Sequence, residues 1–214
     1  DYAEPWKTTQ QALSEELPLK YLQKILPRAT IFRSVYYQYP PTMSQDKNWC
    51  EADGLLIYDD HLFIVEARGG AFTYTSPATD FPAYIASLKN MVLKPATQGK
   101  RFLDYLSTAA SAPIFDKDHK QIGELRKAEF RNISICPVTL DPFTEMAAQV
   151  QHLRKIGVDV GSHPIWATSV DDLRVYADVF ENPLQFLHYV EQRGAAFKSD
   201  IIQADDELDH LGLY

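Results

Sequence analysis

The chain is predicted to fold as an α/β domain, a mixed β-sheet covered by helices on both faces. Three observations predict it. Segments with helical spacing of apolar residues alternate with short apolar runs bounded by turn signals, the pattern of a layered α/β architecture. Two of those runs, Leu55-Leu56-Ile57 and Leu62-Phe63-Ile64-Val65, are apolar on both faces, as strands inside a covered sheet are. The 214 residues contain no repeat, low-complexity segment or internal linker, so a single domain with a full core is expected.

The first helix candidate spans residues 8–26, where Leu13, Leu17, Tyr21, Leu22, Ile25 and Leu26 recur at helical spacing. Pro18 falls inside it. A proline lacks the N–H and crowds the preceding turn, so two pieces are expected, the second starting at Pro18. Residues 30–39, T-I-F-R-S-V-Y-Y-Q-Y, are rich in β-branched and aromatic residues and read as the first strand, ended by Pro40-Pro41. A polar surface loop over 42–49, anchored by Trp49, leads to a hairpin with strands at 54–58 and 62–67 and a turn at Asp59-Asp60-His61.

Residues 69–83 open with Gly69-Gly70, where the backbone can approach a neighbour closely, and continue as a short strand or extended flap. Its Phe72 and Tyr74 either stack on unpaired bases or pack at the edge of the core. Residues 84–108 read as helical with a break at Pro95, and 113–125 as a hairpin around Asp116–Lys120. That turn begins like a calcium loop, but Gln121 stands where glycine is needed and Lys127 where the terminal acid is needed, which excludes calcium. A strand follows at 133–140, then a helix from Pro142 to about Ile156, capped by Asp141 and stopped by Gly157. A short strand at 163–168 carries Trp166. Ser169 and Asp172 start a helix to Phe180, and Asn182-Pro183 start another, closing at Arg193-Gly194. Residues 204–214 are acidic and are expected as a tail, or a link to a further region, outside a core of about 8–193.

Forty-five per cent hydrophobic and 23 per cent charged residues are ordinary for a globular protein, and no run reaches the roughly 18–20 apolar residues of a membrane span. The net charge of −8 argues against strong non-specific binding to phosphate polymers, though not against a local basic groove or a metal that supplies positive charge. Cys50 and Cys136 form no metal-binding spacing and read as buried thiols, which fits a reducing, cytoplasmic setting. The chain begins at Asp1 rather than Met, so its first residues say nothing about a leader. There is no H-E-x-x-H, P-loop, dinucleotide glycine fingerprint or G-x-S-x-G.

The chemistry concentrates in residues 50–70, C-E-A-D-G-L-L-I-Y-D-D-H-L-F-I-V-E-A-R-G-G. Folding the hairpin about its turn brings Asp53 close to Glu66 and Ala67, and alternation along the strand puts Glu66 and Arg68 on one face. Two carboxylates and one guanidinium then converge at the lip of an apolar sheet. A buried carboxylate costs several kcal/mol, on the order of the penalty for an unpaired buried ion, unless a cation compensates. The compensation is either an Asp53–Arg68 or Glu66–Arg68 salt bridge, or a hard divalent ion that keeps waters and substrate phosphate as further ligands.

The pattern D-G, apolar strand, turn, apolar strand, E-A-R resembles the core of the PD-(D/E)xK nuclease superfamily, and in particular its nuclease-related domain branch. Asp53 matches the family's Asp and Glu66 its Glu. Arg68 stands where the family usually has Lys, and Ala52 where a proline often precedes the Asp. The resemblance covers roughly residues 13–105, with weaker echoes to 193, on a short and degenerate motif. It implies a restriction-endonuclease-like core: a helix, a central mixed sheet of about four strands, and a helix across its face. It implies Mg2+ or Mn2+ held by Asp53, Glu66 and the backbone carbonyl of Ala67, with a further acid from the first helix, Glu16 or alternatively its neighbour Glu15. On the helix after the Glu-x-Lys strand, Gln98-Gly99-Lys100-Arg101-Phe102 is similar to the family's Q-x-x-x-Y with Phe for Tyr. Gln98 would orient substrate or a metal-site carboxylate, and Arg101 and Lys100 would contact substrate. Each of these helix residues also reads as an ordinary polar or solvated position.

Two function classes follow. The first is a metal-dependent endo- or exonuclease acting on DNA, slow because Arg68 replaces Lys. The second is a non-catalytic nucleic-acid-binding or protein-interaction domain derived from a nuclease, which Arg68 and the −8 charge favour.

Overall fold

A computed structural model describes residues 3–40, 48–70, 76–142, 144–199 and 202–214. The loop expected over 42–49, apart from its last two residues, and the aromatic flap with Phe72 and Tyr74 lie outside them. The molecule is an α/β structure with one seven-stranded mixed sheet flanked by helices.

Helix α1 (Ala3–Ile25) leads into a meander of β1 (Thr30–Gln38), β2 (Trp49–Tyr58) and β3 (His61–Arg68). α1 is continuous through Pro18, where two pieces were expected. Proline in a helix interior costs about 3 kcal/mol. Here the packing of Leu19, Leu22 and Ile25, each at most 2% exposed, outweighs it. The β2–β3 hairpin turns at Asp59-Asp60, with Asp59 at φ 49°, a left-handed conformation that a short polar side chain tolerates.

Helix α2 (Phe81–Leu88) and α3 (Lys94–Leu106) are joined by one wide π turn (Lys89–Leu93), so the helix does not break at Pro95 as expected. The wide turn comes just before the missing proline N–H and absorbs it. A hairpin of β4 (Ala112–Phe115) and β5 (Gln121–Leu125) follows, then β6 (Asn132–Thr139). Next come α4 (Thr144–Ala148), a 3-10 segment (Val150–Ile156), β7 (Thr168–Ser169), α5 (Val170–Val179), α6 (Pro183–Phe197) and α7 (Glu207–Leu213). The helix expected from Pro142 is therefore a short α turn that tightens to 3-10. It does stop at Gly157, with φ 85°. The strand expected at 163–168 shrinks to β7 and one bridge at Ile165. α5 starts at the Ser169/Asp172 capping box, and α6 starts at Asn182 and runs past Gly194 to Phe197.

The strand order is β5-β4-β1-β2-β3-β6-β7, with β3–β6 and β6–β7 parallel and the remaining pairs antiparallel. Both faces are covered. Leu55, Leu62 and Ile64 pack with Leu88, Phe102 and Leu106 of α2 and α3. Leu56, Phe63 and Val65 pack with Leu19 and Leu22 of α1 and Leu173 and Tyr176 of α5. Among the described residues, no helix is long and apolar enough to cross a membrane.

Two glycines set how closely the layers approach. A Cβ at Gly54 would meet the Leu19 methyls at 2.8 Å, and one at Gly99 would meet Ile135 Cγ2 at 2.5 Å. Alanine is a better helix former than glycine by about 1 kcal/mol, but overpacking costs about 1–3 kcal/mol. The Ile135 methyl is fixed by its β-branch, so the steric cost wins. Gly99→Ala is expected to lower the urea midpoint; a midpoint above wild type would show that α3 can lift off the sheet freely.

Residues 204–214, expected as an acidic tail, are folded: Glu207 is fully buried and its carboxylate meets Arg193 of α6 at 2.8 Å. An acidic run reads as solvated unless its one buried acid has a cation waiting, which the sequence does not display.

Candidate functional site

The lip of the β2–β3 hairpin is built by three effects. The ladder between the two strands is regular up to Gly54–Val65, and one step further puts Asp53 beside Glu66. There the Asp53 side chain takes over from the backbone: its Oδ2 accepts the Ala67 N–H at 2.7 Å. Along β3, Leu62 and Ile64 point to the α3 face, so Glu66 and Arg68 continue that series. Arg68 reaches α3, where its Nη2 donates to Gln98 Oε1, while its Nη1 donates to Ala67 O at 2.8 Å.

Glu66 is fully buried, and neither carboxylate oxygen has a hydrogen-bond partner. Burial, then the charge on Asp53, pushes its carboxyl well above the usual range, against the pull of Arg68 and Arg101. Asp53 is pushed up to about 6, again chiefly by burial, with the Ala67 N–H and Arg68 working in the opposite direction. No ion pair joins Arg68 to either acid among the described residues. The salt-bridge alternative is thereby overturned: the guanidinium is drawn away by the Ala67 carbonyl and the Gln98 amide.

Asp53 and Arg68 line a cavity of about 610 Å³ whose walls also include Glu51, Tyr36, Gly69 and, from α1, Gln10, Ser14 and Glu15. Gly69 lets α1 come this near, since a Cβ there would meet Ser14 Oγ at 3.0 Å. The acid that α1 contributes is Glu15. Glu16, the expected residue, is exposed, because it lies about 100° further round the helix than Glu15 and off the Gln10, Gln11 and Ser14 face. Glu51 and Tyr36 were not anticipated. They face each other across β1–β2, and partial burial together with the bonded Glu51 raises the Tyr36 hydroxyl pKa. Glu51 lies only two residues before Asp53, the one sequence signal that could have pointed to it.

Two residues of α3 fall differently from expectation. Arg101 is half-buried, donates from Nε to the Tyr37 hydroxyl at 3.1 Å, and acts electrostatically on Glu66. Lys100, expected to contact substrate, is on the solvent side paired with Asp104 at 3.0 Å, because one helix step turns it away from the sheet.

The arrangement is an acidic cavity with Asp53, Glu15, Glu51 and one guanidinium on its walls; the buried, unpartnered Glu66 is not among its lining residues and continues the α3-facing series of β3 behind Asp53. Among the described residues, no group of three or more His, Cys, Asp or Glu side chains is placed to hold a metal ion as it stands. A hard cation that keeps its waters needs only one or two protein carboxylates, and Asp53 and Glu66 are that number. No protein-family model, curated protein or solved structure matches this chain.

Proposed function

We propose that this chain is a metal-dependent nuclease-like domain that hydrolyses DNA phosphodiester bonds at the Asp53–Glu66 lip, with the helix–meander–helix–strand core of the PD-(D/E)xK superfamily. The observation that carries the reading is Glu66: a fully buried carboxylate with no partner on either oxygen, beside the half-buried acid Asp53. A structural carboxylate at such depth would be hydrogen-bonded or paired. One left without either suits a cation or a proton, and the neighbouring Asp53 makes the cation the better fit.

Asp53, Glu66 and the Ala67 carbonyl would hold Mg2+ or Mn2+. When bound, such an ion supplies Lewis acidity toward a phosphate oxygen and an acidified water. The chain's own residues fix the rest. The Ala67 N–H holds the Asp53 side chain in place at the end of the strand ladder. Gln98 holds Arg68 by its guanidinium, and Arg68, planar and always charged, binds the scissile phosphate. An arginine cannot act as a general base, so proton removal from water falls to a carboxylate.

One observation favours the second reading, a non-catalytic binding domain. Arg68 Nη1 is bonded to the Ala67 carbonyl, the same oxygen the metal reading would use. Arg68→Lys tests the two together. Lysine carries a compact ammonium and cannot bridge Ala67 O and Gln98 at once. The expected results are Mn2+ binding at least about 10-fold tighter by calorimetry and faster cleavage of single- or double-stranded DNA. If calorimetry detects no Mn2+ on either protein and neither cleaves, the catalytic reading is lost and the binding-domain reading stands.

A further inference from the structure

An exposed aromatic surface adjoins the acidic lip. Its centre is His119, in the turn between β4 and β5. Trp49, the first residue of β2, lies flat against the His119 ring, with centroids 3.7 Å apart and planes 5° apart. Tyr36 meets the same ring at 5.8 Å and 63°, and Phe115 stands edge-on to Trp49 at 5.2 Å. His119 is nonetheless exposed, so with one face on Trp49 its outer face and rim are what solvent meets.

The ring is pinned as well as exposed. His119 has φ 58°, a left-handed conformation that few non-glycine residues adopt. Asp116 fixes the turn around it. Its Oδ1 accepts the Asp118 and Lys120 N–H groups, each at 2.9 Å, and its backbone carbonyl accepts the His119 N–H at 2.9 Å. The turn sets two acids, Asp116 and Asp118, against two lysines, Lys117 and Lys120. These charges cancel, so the surface suits a flat ring and not a free anion.

Tyr36 makes this surface continuous with the lip. Its ring meets His119, its hydroxyl is bonded to Glu51, and Tyr36 and Glu51 both line the 610 Å³ cavity with Asp53 and Arg68. Along β2, Glu51 is two residues from Asp53, roughly 7 Å by strand rise, which a single nucleotide spans. The cavity has the size usual for a small ligand, and α1 walls it through Gln10, Ser14 and Glu15, so an unpaired strand fits where a duplex does not.

We infer that the substrate of the lip is single-stranded DNA, with an unpaired base stacked on His119 and Tyr36 while the neighbouring phosphate lies at Asp53 and Arg68. Histidine and tyrosine rings serve as such platforms, and stacking tolerates any base. The placement of the phosphate rests on the nuclease reading; the placement of the base rests on the rings.

The test is fluorescence anisotropy of the full chain with labelled oligo(dT), a duplex of equal length, and an oligo(dT) carrying a run of abasic sites, all in Ca2+ to offset the acids of the lip. Oligo(dT) is expected to bind at least about 10-fold more tightly than the duplex or the abasic strand. His119→Asn, which tolerates the left-handed turn, and Trp49→Leu, which removes the ring behind it, should each weaken oligo(dT) about 5–10-fold and leave the abasic strand unchanged. Trp49→Phe, which keeps a ring there, should bind like wild type. Equal affinity for oligo(dT) and the abasic strand, equal affinity for the duplex, undiminished binding by His119→Asn, or no binding of any strand overturns the inference. Mn2+ calorimetry on the same proteins separates this from the nuclease reading. Mn2+ bound with no preference for unpaired bases removes the platform and leaves the nuclease reading standing. Base-dependent binding that His119→Asn weakens, with no Mn2+ bound, supports the platform and removes the nuclease reading.

Discussion

On the proposed nuclease reading, Glu66→Ala is expected to abolish metal-dependent DNA cleavage, a loss of at least about 10³-fold, because in that reading the carboxylate holds the metal and with it the activated water. Glu66→Gln should do the same while making the metal-free protein more stable at neutral pH. Both acids have folded-state pKa values above their ordinary ones, Asp53 from 3.8 to about 6 and Glu66 from 4.5 to well above it. Between the two values the folded chain holds more protons than the unfolded chain, so stability falls as pH rises through that window. For Asp53 the fall begins near pH 4 and is complete a little above pH 6, and amounts to on the order of 3 kcal/mol. Glu66 extends it to higher pH. This runs opposite to ordinary acid denaturation. Melting curves between pH 4 and 8 should show wild type losing stability with pH, Asp53→Asn and Glu66→Gln losing less, and millimolar Mn2+ restoring wild type alone. If Glu66→Gln melts below wild type at pH 8, the carboxylate is a structural acceptor and the cation reading of its empty lone pairs is wrong.

The hairpin that carries the site was legible because its physics is local. Two apolar runs of strand length, an Asp-Asp turn and period-two alternation suffice to put Glu66 and Arg68 on one face. Asp53 was harder. Ala52 and Leu55 both pack into the same core cluster although they are three residues apart, which strict alternation forbids. The phase slips at Asp53, where the ladder to β1 skips its partner Ser34, whose φ is 47°. That slip frees the Asp53 side chain to cap the Ala67 N–H, and no single-strand pattern announces it. The cavity walls were out of reach for a different reason. Glu15, Tyr36 and Glu51 come from three elements whose proximity is set by the α1–sheet packing, through Gly54 and Gly69, and not by spacing in the chain. The proline at position 18 misled for the same reason: tertiary burial of Leu19 and Leu22 outweighs a local helix penalty.

Glu207→Ala is expected to destabilise the protein by about 3–5 kcal/mol, a third or more of a typical domain's total stability. Glu207 is the residue on which the C-terminal helix hangs. Its carboxylate accepts from Arg193 Nε at 3.0 and 3.1 Å, from Arg193 Nη2 at 2.8 Å and from Trp166 Nε1 at 2.9 Å. Arg193 Nη2 also donates to the carbonyls of Ala147 and Ala148 at the end of α4. One ion pair thus ties α7, α6, α4 and the segment before β7 together, with both partners at most 3% exposed. Burial raises the Glu207 pKa, and the pairing with Arg193 opposes that rise, so each charge is tolerated only because of the other. Removing Glu207 leaves a guanidinium in the interior with nothing to neutralise it, and removing Arg193 leaves a carboxylate. The two single changes should therefore each be severe, while the double change Arg193→Met with Glu207→Leu, which removes both charges and keeps apolar volume, should recover most of the loss. Urea unfolding of the three variants gives the coupling as a double-mutant cycle. A coupling below about 1 kcal/mol would mean that α7 is held by Leu208 and Leu211 against the α5–α6 core, with the ion pair incidental to its docking.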